Sequence, residues 1–98
     1  METLIDLEKS LDQFRQENDQ LNEAQTLIRM GNYFLGQKKW PRAANSLNKS
    51  LVIFKENNQR AEQAHTLAYL GLVSWEQAQV QKAIDSFKLS LIIINEIN

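Results

Sequence analysis

The stretch AQTLIRMGNYF, residues 24–34, returns forty positions later as AHTLAYLGLVS, residues 64–74. Extended outward, the comparison of residues 23–58 with 63–98 gives twelve identities in thirty-six pairs, which far exceeds coincidence. The N-terminal segment keeps the same register, with Leu7, Lys9, Ser10, Leu11, Phe14 and Asn18 matching Leu47, Lys49, Ser50, Leu51, Phe54 and Asn58. The chain is therefore built on a forty-residue repeat of two helices, and its N-terminal segment is a second-type helix without a first-type partner.

Apolar side chains at helical spacing predict an all-α chain. Only three Gly and one Pro are present, and no run alternates strictly between apolar and polar residues. Five helices are expected, over residues 3–17, 20–36, 41–57, 60–77 and 80–96. Gly36 is expected to start the break after the second helix, Pro41 suits the first turn of the third, and Asn57 and Asn58 suit its end. Short turns between helices predict antiparallel neighbours.

Composition excludes several classes of function. Eleven basic against twelve acidic residues give a net charge of −1, so nucleic acid is not expected as a partner. The chain has no Cys, and no apolar run approaches the roughly 18 residues that span a bilayer. The N-terminus lacks the basic and apolar regions of a signal peptide. We expect one soluble, cytoplasmic domain over 1–98 that does not bind membranes.

The packing positions of the repeat resemble the tetratricopeptide repeat (TPR) family. The matching residues are Leu27, Met30, Gly31, Phe34, Ala43, Leu47 and Ser50, and then Leu67, Leu70, Gly71, Ala83, Phe87 and Ser90. The period of forty exceeds the family's usual length of about 34, Ser74 replaces an aromatic residue, and the usual Pro is absent at Lys55 and Asn95. The chain looks like the longer-helix subclass found in protein-interaction and signal-regulating proteins.

The resemblance implies an α-solenoid of antiparallel helix pairs, with a half repeat at 3–17 and full repeats at 20–57 and 60–97. It also implies a non-catalytic scaffold that binds a protein or peptide on the concave surface of the first-type helices. The groove positions are then Gln25, Ile28, Asn32, Leu35, His65, Ala68, Leu72 and Trp75. Asn32 would contact a peptide backbone, and most of the others would contact apolar side chains. The alternative is that these residues pack against neighbouring repeats.

Other kinds of site have little support in the sequence. Family members that clamp a C-terminal carboxylate use Lys where this chain has Ile28 and Ala68, so we reject a clamp. His65 is the single histidine and has no ligand partner at helical spacing, so no metal is expected. Acidic residues such as Asp6 and Asp85 are expected on solvated helix faces, and no cofactor or catalytic residue is predicted.

The C-terminal segment, residues 89–97, is apolar on nearly every side of its predicted helix. We expect this helix to be covered, either by a longer repeat array or by self-association through the helices at 3–17 and 80–97. The self-association residues would be Leu89, Leu91, Ile92, Ile93, Ile94 and Ile97. The alternative functions are therefore a dimerising or helix-exchanging assembly unit, and a regulatory sensor segment of a larger multidomain protein.

Overall fold

A computed structural model describes residues 2–98, which form five α-helices and no strand. The helices are α1 (Leu4–Gln16), α2 (Gln20–Gly36), α3 (Trp40–Glu56), α4 (Arg60–Glu76) and α5 (Val80–Ile97). The all-α prediction is confirmed, and no predicted helix end is off by more than one residue. Pro41 lies in the first turn of α3, as expected. None of the helices in the described range has the length and apolar character that crossing a bilayer needs.

The three-residue turns between helices share one backbone conformation. Each turn has a residue with a positive φ near its middle, and these residues recur every twenty positions: Asn18, Lys38, Asn58 and Ala78. After α2, the Lys39 N–H donates to the Phe34 carbonyl at 2.9 Å and the Lys38 N–H donates to the Leu35 carbonyl at 3.1 Å. This is the Schellman pattern of helix ends.

The end of α2 falls at Gly36, as the sequence predicted, but Gly36 does not itself break the helix. It is the last helical residue and has a negative φ. Lys38 carries the left-handed conformation instead, because the two turn hydrogen bonds hold its backbone there. The Lys39 carbonyl then accepts from the Ala43 N–H at 3.0 Å. Lys39 therefore uses its N–H to cap the end of α2 and its carbonyl to cap the start of α3.

Consecutive helices run antiparallel and pack side by side. The Ser50 hydroxyl, late in α3, donates to the Ala24 carbonyl, early in α2, at 2.9 Å. The same bond recurs forty residues later, from Ser90 in α5 to Ala64 in α4 at 2.7 Å. Each helix contacts its neighbours in the chain, and within residues 2–98 α2 and α4 also make a small contact.

Gly31 and Gly71, which share one position of the repeat, make room for side chains of the next helix. A Cβ at Gly31 would lie 2.7 Å from Leu47 Cγ, and a Cβ at Gly71 would lie 2.7 Å from Phe87 Cε1. The sequence suggested a close approach of helix backbones, but the atoms that fill these spaces belong mainly to side chains. The first core cluster comprises Ala24, Ile28, Phe34, Ala43, Leu47, Phe54 and Val73, and the second comprises Leu51, Ala64, Leu67 and Ile93.

Candidate functional site

The predicted groove positions on α2 form one stripe along the helix, and most of them are only partly accessible. Gln25 is exposed, whereas Asn32 and Leu35 are half-buried. Ile28 is 9% exposed and belongs to the first core cluster. Ile28 therefore packs inside the molecule, and this stripe offers a partner mainly Gln25, Asn32 and Leu35.

The matching stripe on α4 presents more apolar surface to solvent. His65 is exposed and Ala68 is half-buried, while Leu72 is 42% and Trp75 is 58% exposed. Leu72 and Trp75 lie three residues apart and so share one face of the helix. Large exposed apolar side chains grouped in this way are the kind of feature that interaction surfaces use.

The six residues predicted for self-association do not share one face of α5. Leu89, Leu91, Ile92 and Ile97 are exposed, and Ile94 is half-buried. Ile93 is buried and belongs to the second core cluster with Ala64 and Leu67 of α4. Ile93 therefore holds α5 against α4 and does not belong to the exposed set.

One pair of equivalent leucines shows how the exposure of apolar residues differs between α3 and α5. Leu51 of α3 and Leu91 of α5 stand at the same position of the repeat, but Leu51 is 9% exposed and Leu91 is 59% exposed. Leu51 is covered because it packs with Ala64 and Leu67 of α4. Within residues 2–98 no further helix packs against the equivalent face of α5.

A cavity of about 300 Å³ lies between α3, α4 and α5, and we refer to it as the α3–α4–α5 groove. Its lining residues are Ala44, Asn48, Leu51, Leu67, Leu70, Val73, Ser74, Gln77, Gln79, Lys82 and Ser86. None of the eight predicted groove positions is among them. The sequence analysis did not predict this cavity, although it noted the signal that marks it, which is Ser74 in place of an aromatic residue.

A second cavity, of about 230 Å³, lies where the start of α4 meets the end of α5. It is lined by Ala61, His65, Ile94, Ile97 and Asn98. His65 was predicted to be a groove residue, but here it lies beside two residues from the predicted self-association set. The structure therefore brings His65 close to the apolar end of α5.

Ion pairs join neighbouring helices at the surface. Arg15 pairs with Glu23 at 3.1 Å and Arg29 pairs with Glu2 at 3.0 Å, and both pairs link the N-terminal segment to α2. Arg60 and Glu96 form a third pair, between α4 and α5. At least one partner of each pair is well exposed to solvent, so each pair is expected to contribute no more than about 1 kcal/mol.

The charged group with a perturbed titration is Asp6, at the start of α1. Its Oδ2 accepts from the Thr3 N–H at 3.0 Å, and its own N–H donates to Thr3 Oγ1 at 3.2 Å. The backbone hydrogen bond from Thr3, followed by the side-chain one, lowers the pKa of the Asp6 carboxyl from its ordinary value of 3.8. This reciprocal pair is a capping box that stabilises the start of the helix.

Comparison of the chain with protein-family models, with curated proteins and with solved structures gives no significant match.

Proposed function

We propose that this chain is a non-catalytic protein-interaction module of the TPR type, with the long helices noted in the sequence. Its two first-type helices, α2 and α4, would bind a peptide or a helix of a partner protein across their parallel stripes. The arrangement of contacts supports this architecture. Helices pack on their chain neighbours, and α2 also contacts α4, as expected when helix pairs stack in one direction.

The observation that carries the proposal is the exposed pair Leu72 and Trp75 on α4. An apolar pair of this size costs free energy in water, by about 25 cal/mol for each Å² that a partner would cover. Asn32 of α2 is half-buried at the corresponding stripe and provides an amide that suits a peptide backbone. Together these residues offer apolar anchoring with a polar group that orients the ligand.

Selection of a displayed peptide library against the chain tests this proposal. Trp40→Phe would leave Trp75 as the single tryptophan, so that fluorescence reports on the stripe alone. We expect selected peptides to shift Trp75 emission to shorter wavelength, because binding removes water from the indole. Leu72→Glu should weaken binding at least tenfold, since it places a charge in the apolar contact.

Val52→Glu is the matched control for that substitution. Val52 lies on α3, is 53% exposed, and is outside both stripes. The control variant should bind the peptides as the parent does, and both variants should keep the helical circular dichroism signal. Equal binding by the Leu72→Glu variant, or peptides that leave Trp75 emission unchanged, would contradict the stripe as the binding surface.

The second candidate is self-assembly through α5, and the contrast between Leu51 and Leu91 favours it. A helix covers Leu51 but none of the described residues covers Leu91, so a second copy of the chain would bury the same kind of surface. We expect mass measured by light scattering to rise with concentration, and Leu91→Lys combined with Ile94→Lys to restore a monomer. A parent chain that stays monomeric at high concentration rules this candidate out.

A further inference from the structure

The α3–α4–α5 groove lies where several packing side chains of the second half are smaller than their counterparts in the first half, with the largest difference at Ser74. Ser74 of α4 is the counterpart of Phe34 of α2, forty residues earlier. Phe34 is almost fully buried and belongs to the first core cluster, against which Leu4 and Met30 pack. The aromatic ring thus fills the space beside α1, α2 and α3 that stays open beside α3, α4 and α5.

A basic residue lies next to this space in both halves of the chain, Arg42 in the first and Lys82 in the second. Arg42 places its Cζ 5.6 Å from the centre of the Phe34 ring, in a cation–π contact. Lys82 occupies the equivalent position on α5 and lines the groove, but Ser74 provides no ring beneath it. The second half therefore keeps the cation and lacks its aromatic partner.

The groove has the dimensions and surface that a small ring needs. Its volume is about 300 Å³ and it is partly open to solvent, whereas an enclosed apolar cavity of about 150 Å³ is enough to hold a benzene molecule. Leu51, Leu67 and Leu70 contribute apolar surface to the lining, and Ser74 and Asn48 contribute polar groups. A ring against the leucines would leave room for a polar substituent.

The charge on the groove lining favours a ligand whose polar substituent has the opposite charge. Lys82 is the one charged side chain among the described residues that line it, and none of the three surface ion pairs uses it. An anionic group beside Lys82 would gain an ion pair, whereas a cationic group would be repelled. We propose that the α3–α4–α5 groove binds an aromatic monocarboxylate, with its ring in the space equivalent to Phe34 and its carboxylate beside Lys82.

Titration of the isotope-labelled chain with phenylacetate, followed by amide chemical shifts, tests this proposal. We expect shifts concentrated at residues that line the groove, such as Ala44, Leu70 and Ser74. Acetate, which has no ring, and benzylamine, which has the opposite charge, should each bind at least tenfold more weakly. Acetate or benzylamine binding as well as phenylacetate, or shifts confined to the stripes on α2 and α4, would overturn the proposal.

Two substitutions separate the roles of the ring and the charge. Ser74→Phe fills the groove with the side chain of the first repeat and should weaken phenylacetate binding at least tenfold. Lys82→Gln should remove the preference for phenylacetate over benzyl alcohol while leaving benzyl alcohol binding unchanged. Val52→Phe adds the same ring to α3 outside the groove and should have no effect.

Ser74→Leu serves as a second filling variant if the Ser74→Phe chain does not fold. Undiminished phenylacetate binding by whichever of the two variants is folded would overturn the proposal. A free acid and the C-terminal phenylalanine of a peptide supply the same chemistry, so the peptide Gly-Gly-Gly-Phe is titrated in parallel. Tighter binding of the peptide than of phenylacetate identifies a peptide end as the ligand, and weaker binding identifies a free acid.

Discussion

At the scale of single residues, the three glycines of the chain have different roles. Gly31 and Gly71 face side chains of the following helix at distances that a Cβ could not keep, whereas a Cβ at Gly36 would meet no atom within 4 Å. All three have helical φ values, so none is needed for its backbone conformation. Their importance depends on the space around the Cα.

We predict opposite effects for the same substitution at Gly31 and Gly36. Gly31→Ala should destabilise the fold by about 1–2 kcal/mol, because overpacking against Leu47 exceeds the gain in helix propensity. Gly36→Ala should stabilise it by about 0.5–1 kcal/mol, since the position is open and helical. Urea unfolding followed by circular dichroism measures both values. A stabilising Gly31→Ala would show that Leu47 can move aside at little cost.

The capping box at Thr3 and Asp6 makes the stability of α1 depend on pH. Because the folded pKa of Asp6 is lowered, its contribution is present above the ordinary pKa of 3.8 and is lost as pH falls through the folded value. Asp6→Asn should therefore reduce stability at neutral pH. The unfolding free energies of variant and parent should converge as pH falls below about 4. Curves that stay parallel down to acid pH would contradict this assignment.

At the scale of elements, the turns carry strain that differs from one turn to the next. Asn18 and Asn58 tolerate the left-handed conformation, but Lys38 and Ala78 adopt it without such a side chain. The turn hydrogen bonds hold the conformation at all four positions. The turns at Lys38 and Ala78 are therefore less favourable than the other two.

Ala78→Gly should stabilise the chain by about 1 kcal/mol, because Gly removes the Cβ penalty at a positive φ. Ala61 is the control, since it is exposed and lies in the first turn of α4 with a helical conformation. Ala61→Gly should destabilise, by up to about 1 kcal/mol, the cost of Gly in a helix interior. Thermal unfolding of the two variants gives the comparison, and a loss of stability in the Ala78→Gly variant would be inconsistent with the turn geometry.

The buried serines show how equivalent positions depend on their neighbouring helix. Ser50 donates to the Ala24 carbonyl at 2.9 Å, whereas Ser10, its counterpart on α1, is half-buried and makes no such bond within residues 2–98. We expect Ser50→Ala to cost about 0.5–1.5 kcal/mol, the usual net value of a hydrogen bond. Ser10→Ala should cost much less. Equal losses in denaturant unfolding would show that the hydroxyl bond contributes little.

At the scale of the whole molecule, stability should rise from the N-terminal helix toward the middle of the chain. Of the described helices, α1 contacts α2 alone, whereas α4 contacts α2, α3 and α5. Helices with fewer buried contacts open more often. Native-state hydrogen exchange should therefore find the amides of α1 least protected and those of α4 among the most protected. Uniform protection across the chain would indicate that all five helices unfold as one unit.

Much of this architecture could be predicted from the sequence because periodicity is a local property. The spacing of Leu27, Gly31 and Phe34 defines a helix face, and each predicted helix lies within one residue of its observed bounds. The end of α2 at Gly36 was predicted too, but the residue that takes the left-handed turn conformation is Lys38, not a glycine. Hydrogen bonds between residues five apart decide such ends, and composition does not show them.

The candidate surfaces could be predicted only in part, because exposure depends on residues distant in sequence. Ile28 and Ile93 were assigned to binding surfaces by position, yet both are buried. The α3–α4–α5 groove requires three helices to be placed together before the missing ring at Ser74 becomes a space. In the sequence, Ser74 is only a departure from the repeat pattern. In the structure, it lines a cavity.

By itself, the sequence determined the helical class, the forty-residue register and the antiparallel order of the helices, because each follows from the period of apolar side chains and from short turns. Only the tertiary structure decided which equivalent residues are covered and which are exposed. Leu51 and Leu91 are the same residue at the same repeat position, and they differ because α4 packs against one of them. Burial is a property of the neighbouring helix as much as of the residue.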